Sequence, residues 1–257
     1  MFSVTRKRSL VTSAIVFLLA LGSPFAKGQD RRTSNTAGGG VFVTPLAGAP
    51  FSGAVEQQLT QVLGDGTVFE RKTEAFVARD SRGRIHNENR EILPASSTRK
   101  PALLSLHIYD PETRLNTFLN PRTHLARQRV LPNPPSTVPP ADWAQRPGIH
   151  RSGPNLREED LGVRSVDGID VHGYRRTMVL PEEANGTGRP LVVTEEYWYS
   201  DELRINIVTR HNDPRFGQLT IVVKRIDRSE PSYDLFEIPA SYKVVDMTPP
   251  AGESEEQ

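Results

Sequence analysis

Turn-forming clusters recur along this chain at intervals too short for ordinary helices. Gly64-Asp65-Gly66, Asp80-Ser81-Arg82-Gly83, Asp110-Pro111-Glu112-Thr113, Asn120-Pro121, Asp167-Gly168, Ser200-Asp201-Glu202 and Asn212 to Gly217 each supply residues that fit tight turns. Between them, apolar and polar residues alternate. Leu103 to Tyr109 reads LLSLHIY, and Leu203, Ile205 and Ile207 stand opposite Arg204 and Asn206. A period of two puts alternate side chains on opposite faces of a strand. The expected fold class is therefore all-β with few helical turns, a wide antiparallel meander of about eleven strands. A sheet this wide is expected to curl into a half-barrel or barrel rather than stay flat.

The clearest part of the pattern runs from Leu191 to Tyr242. Three consecutive strands are expected there, followed by one helical turn within Pro231 to Pro239 and a last short strand at Tyr242 to Val245. Earlier, Val55 to Leu63 and Thr67 to Arg79 form the first hairpin, with a bulge expected near Thr73, where alternation falters. Leu131 to Pro154 contains PNPPSTVPP and no period, so an extended, Pro-rich excursion is expected.

Both ends of the chain differ from its middle. Arg6-Lys7-Arg8 precedes the apolar run Leu10 to Leu21, and Ala26-Lys27-Gly28 places small residues before a cut. Residues 1–28 are thus expected to be a signal peptide, giving an exported, periplasmic or extracellular protein. Removing them takes Arg6, Lys7, Arg8 and Lys27 from the 32 basic residues and none of the 31 acidic ones, leaving a net charge of about −3. No second apolar run reaches membrane-spanning length. Residues 29–53 read as a flexible lead, with Val41-Phe42-Val43 as a patch able to dock. Residues 54–246 read as the antiparallel β domain, and 247–257 as an acidic disordered tail. The chain has no Cys, which excludes disulfides, thiolate metal sites and Cys nucleophiles. The balance of charge argues against nucleic-acid binding.

Four segments carry a resemblance: TVFERKTEAFVARDSRGRIHNE, SLHIYDPETRLNTFLNP, LGVRSVDGIDVHGYRRTMVLP and the stretch from Glu195 to Asp246. They resemble a group of uncharacterised bacterial secreted β-rich proteins. The turns DSRGR, YDPET and TRHNDPRFG are the specific part, and the likeness covers most of Ala54 to Asp246. More distantly, the strand pattern is similar to the periplasmic lipoprotein-carrier superfamily. That resemblance implies a curved antiparallel half-barrel around a hydrophobic cavity closed by helices. No stretch of this chain reads as a closing helix.

Catalytic signatures are lacking in the sequence. There is no HExxH, no G-x-S-x-G and no phosphate loop, and His86, His107, His124, His150, His172 and His211 are scattered. No enzyme, metal or cofactor is expected. Glu195 and Glu196, as neighbours on a strand, point to opposite faces and cannot act as one acid–base pair. The residues expected to face an apolar ligand are Leu203, Ile205, Ile207, Leu219, Ile221 and Val223, with Tyr197 beside them. His211, Asp213 and Arg215 form the densest polar loop, in which turn chemistry is favoured over a binding role. The expected function is non-enzymatic: a lipid, lipoprotein or other apolar ligand held on a concave sheet face. The alternative is a structural or protein-interaction module of the cell envelope, filled by its own core and contacting another envelope protein.

Overall fold

A computed structural model describes residues 41–133 and 153–249. The expected signal peptide, most of the Pro-rich excursion and most of the acidic tail lie outside the described residues. The described chain is nearly all β. The first group of strands is β1 (Phe51–Val62), β2 (Val68–Arg79), β3 (Ile85–Arg90), β4 (Leu93–Pro94), β5 (Leu103–Asp110), β6 (Leu115–Asn120) and β7 (Leu125–Val130). The second is β8 (Leu156–Val166), β9 (Ile169–Leu180), β10 (Leu191–Ser200), β11 (Ile205–Asp213) and β12 (Gly217–Asp227), with β13 (Lys243–Asp246) at the end. A four-residue helical turn, Glu182–Asn185, and a 3-10 turn, Tyr233–Phe236, interrupt them.

These strands form a single sheet ordered β13-β7-β6-β5-β3-β2-β1-β12-β11-β10-β9-β8, with β4 paired to β2. It consists of two local meanders joined by one long-range pairing, β1 against β12. All pairs are antiparallel except β13 with β7, which run parallel. Among the described residues no pairing joins β8 to β13, so the curled sheet remains an open half-barrel.

The turns account for the hairpins. Asp110, Asn120 and Ser200 each open a four-residue loop that closes on Leu115, Leu125 and Ile205. The Asp110 and Asn120 carboxyl and amide oxygens accept the backbone N–H two residues on, each at 2.9 Å, and Ser200 Oγ accepts Leu203 N–H at 3.2 Å. The last loop residue is left-handed in all three: Arg114, His124 and Arg204, at φ 59°, 50° and 56°. The capping side chains offset the cost of that conformation in a non-glycine residue.

The main core gathers Phe51, Val55, Val77, Ile205, Ile207, Val208, Ile221 and Val223 with Ile169 and Val171 of β9. Val41 and Val43 of the lead are buried in the same cluster, whereas Phe42 between them is exposed. Arg79 fixes this lead. Its Nε and Nη2 donate to the Ala49 carbonyl at 2.9 and 2.7 Å, and Nη1 to the Thr44 carbonyl at 2.8 Å. Arg79 is fully buried, and burial brings its pKa down to about 10, which still leaves it cationic at neutral pH.

A second cluster, Ile108, Leu119 and Ala126, is covered by Ile238 and Tyr242 of the C-terminal segment. That segment is clamped near β3. The buried Arg84–Asp80 pair, 2.6 Å apart, sets the guanidinium over the Tyr233 and Phe236 rings at 4.6 and 4.8 Å. His86 Nδ1 donates to the Leu235 carbonyl at 2.6 Å.

Some boundaries differ from expectation. β1 begins at Phe51, ahead of Val55, because the docked lead extends the hairpin. The β1–β2 register runs unbroken through Thr73, so the expected bulge is absent there. Bulges fall instead at Asp160–Gly162 and Trp198–Tyr199, among other places.

Candidate functional site

Four adjacent charged pairs, one per strand, meet across the second meander. The register aligns Glu158 with Arg176, Arg176 with Glu195, and Glu195 with His211. One residue along each strand, it aligns Glu159 with Arg175, Arg175 with Glu196, and Glu196 with Arg210. Because neighbours on a strand face opposite ways, the sheet carries two ionic ladders, one on each face. On the first, Glu158–Arg176, Arg176–Glu195 and Glu195–His211 lie 3.0, 3.5 and 3.5 Å apart. On the second, Glu159–Arg175, Arg175–Glu196 and Glu196–Arg210 lie 3.5, 2.9 and 2.5 Å apart.

The first ladder is the better shielded. Glu195 is raised by burial but lowered further by His211, Arg176 and Tyr197, so its net pKa lies below the ordinary carboxylate value. The His211 pKa is raised, chiefly by the Glu195 carboxylate 3.5 Å from Nδ1. Tyr197 stacks on Tyr174 with ring centroids 5.0 Å apart. Burial pushes both phenols up, so they serve as neutral hydroxyls and not as nucleophiles. Each charged group is taken up by another of the chain's own, which makes the ladder a rigid polar surface more than a reaction centre. Among the described residues no three metal-ligating side chains converge.

His211 and Asp213 lie on β11, contrary to the expected loop, because the ladder pairing continues to Asp213; the turn is Pro214 to Phe216, and Asp213 and Arg215 build it by turn chemistry. Asp213 Oδ1 accepts Arg215 N–H and Nε, both at 2.9 Å, and Oδ2 accepts Arg215 Nη2 at 2.6 Å. Leu203, Ile205, Ile207, Ile221 and Val223 are buried, and Leu219 packs beside them half-buried. They belong to the same buried cluster as Val41 and Val43. The sequence reading noted Glu158-Glu159 only as a carboxylate pair and did not pick out Arg176 and Tyr174. The signal for them was the alternation of doubled charges, EE, RR, EE and RH, once per strand.

Two features remain open to solvent. A groove of about 440 Å³ borders β2, lined in part by Gln57, Lys72, Thr73, Leu93, Pro101 and Val222. At one end of the sheet, the β1–β2 tip exposes Val62, Leu63, Val68 and Phe69, and the β11–β12 tip exposes Phe216. Gly217 abuts the Thr60 and Gln61 backbone, so the two tips are neighbours.

No protein-family model and no curated protein matches this chain. LolA superfamily protein NE2245 from Nitrosomonas europaea is 9% identical, with a TM-score of 0.30 over 75% of this chain and 91% of that one. An uncharacterized conserved protein from Thermus thermophilus is 8% identical, with a TM-score of 0.39 over 77% and 91%. A chain of the Pseudomonas aeruginosa MucA/MucB complex is 11% identical, with a TM-score of 0.38 over 76% and 58%. The present chain thus spans 58% of that last protein's length.

Proposed function

We propose that this is an exported, non-enzymatic protein of the cell envelope that acts by binding another envelope protein, its apolar interior being filled by its own core. One observation carries this reading: Leu203, Ile205, Ile207, Ile221 and Val223 are buried in one cluster with Val41 and Val43 of the docked lead and Ile169 and Val171 of β9. A carrier of lipid needs an apolar cavity to shield an acyl chain, and the burial of these side chains among the chain's own supports the binding of a protein instead. Export is supported by the basic, then apolar, N-terminal segment. The direct test is extraction of the purified secreted chain with organic solvent, followed by mass spectrometry and titration with a fluorescent fatty acid. No co-purified lipid and no saturable uptake are expected. One equivalent of lipid per chain would overturn the reading.

The exposed apolar tips favour a second reading, contact with a lipid or lipoprotein at that end of the sheet. Val62 is 69% exposed and Phe216 63%, far more than a monomer needs to leave in water. Flotation with anionic vesicles separates it from the first: Val62→Ser/Phe216→Ser would abolish flotation if the tips touch lipid.

A further inference from the structure

One row of side chains crosses the first meander on a single face of the sheet. The register aligns Val77 with Asn87, Asn87 with His107, His107 with Phe118, Phe118 with Arg127, and Arg127 with Val245. The row begins in the main core, where Val77 is fully buried, and ends in solvent, with Phe118 half-exposed and Arg127 exposed. A second row, Ile85, Tyr109, Asn116 and Arg129, runs beside it. Lys243 stands on the same face, two residues before Val245 on β13.

The outer part of this face is cationic and holds no acid. The acidic residues of β3, β5, β6, β7 and β13 are Glu88, Asp110 and Asp246. They align with Leu106, Leu115 and Gln128, whose side chains lie on the other face. Arg127, Arg129 and Lys243 are exposed, and among the described residues their side chains make no ion pair and no hydrogen bond. The ladder arginines differ: Arg175, Arg176 and Arg210 each meet a glutamate. Charged side chains near a sheet edge deter stray pairing, but that role does not call for an aromatic ring in water. Phe118 is such a ring. It lies flat against His107, with centroids 4.6 Å apart and planes at 17°, and His107 Nε2 is 2.6 Å from Asn116 Oδ1. The ring is a fixed platform beside unpaired cations.

We propose that this face of β6, β7 and β13 binds an acidic segment of a partner protein, whose carboxylates pair with Arg127, Arg129 and Lys243 and whose apolar side chain lies on Phe118. The site rests on the protein-binding role given above. Arginine and aromatic residues are enriched where proteins meet, and a guanidinium can take a carboxylate through two parallel hydrogen bonds. Surfaces that read anionic lipid are built instead from clusters of about 4–8 Lys and Arg. This face has fewer and sets an aromatic ring among them.

The test selects a displayed library of random dodecapeptides on the purified secreted chain. Selected sequences are expected to carry several Asp or Glu residues around an aromatic or aliphatic one. Synthetic copies should shift the amide resonances of Phe118, Arg127 and Arg129 and bind more weakly as salt rises. Arg127→Gln/Arg129→Gln should weaken binding by at least about 10-fold with an unchanged melting temperature, since neither side chain is bonded within the fold. Lys72→Gln/Arg157→Gln makes the same change of charge on β2 and β8 and should leave the affinity unchanged. Selection without an acidic preference, or affinity that survives Arg127→Gln/Arg129→Gln, would overturn the site. Peptides that shift the resonances of Val62 and Phe216 instead would overturn it and leave the protein-binding role standing. Binding seen only in a chain ending at Pro249 would make the chain's own acidic end, Glu253 to Glu256, the occupant and refute a partner. Anionic vesicles bound through Arg127 and Arg129, with no peptide selected, would overturn both the site's partner and the protein-binding role.

Discussion

Gly173 of β9 lies directly beneath the indole of Trp198 on β10: a Cβ built there would come within 2.6 Å of the ring carbons. The Arg164 guanidinium lies over the same ring, 3.6 Å from its centroid, and Nε1 donates to Glu196 at 2.8 Å, so the indole is held in place. Gly173→Ala should therefore destabilise the protein by about 1–3 kcal/mol through overpacking. Urea unfolding followed by Trp fluorescence would measure it, and an unchanged midpoint would refute the contact.

The lead depends on Arg79. Arg79→Met removes three hydrogen bonds to carbonyls and should cost about 3 kcal/mol, with residues 41–50 released first. Limited proteolysis should cut the variant within that lead under conditions where the parent protein is intact.

Two glycines should behave oppositely. Gly217 has φ +91°, and a Cβ would sit 2.3 Å from the Thr60 carbonyl oxygen, so Gly217→Ala should lower the melting temperature sharply. Gly64 has no neighbour within 4 Å and no left-handed φ, so Gly64→Ala should be neutral or stabilising by about 0.4–1 kcal/mol.

Stability should respond to pH with two signs. Burial pushes the His86 and His107 pKa values below their unfolded value of about 6.5. As pH falls through that value the unfolded chain gains protons first, so stability is lost on the acid side. His211 is raised, chiefly by Glu195, so its contribution is complete below about 6.5 and is lost as pH rises through its folded value. Urea midpoints between pH 5 and 8 should show a shallower acid limb in His86→Gln and a shallower alkaline limb in His211→Gln. Parallel profiles in all three proteins would contradict both assignments.

Most of the strands were legible because hairpin turns are local. Asp110-Pro111, Asn120-Pro121 and Asp167-Gly168 need only their own few residues to reverse the chain. The 3-10 turn at Tyr233–Phe236 and the last strand followed from the same kind of signal. Two-residue β4 carries too little pattern to be seen, and the start of β8 at Leu156 is masked by its charges. The ladders were written in the doubled charges, but their alignment depends on register across four strands, which no single strand specifies.

By itself the sequence determined which segments are strands, where they turn and which side chains share a face, because these follow from backbone geometry over a few residues. Tertiary structure alone decided that β1 lies against β12, and that Val41 and Val43 join one buried cluster with Ile205 and Ile207. Those are contacts between residues far apart in the chain. They are settled by which surfaces bury best together and by which backbone groups still find a partner.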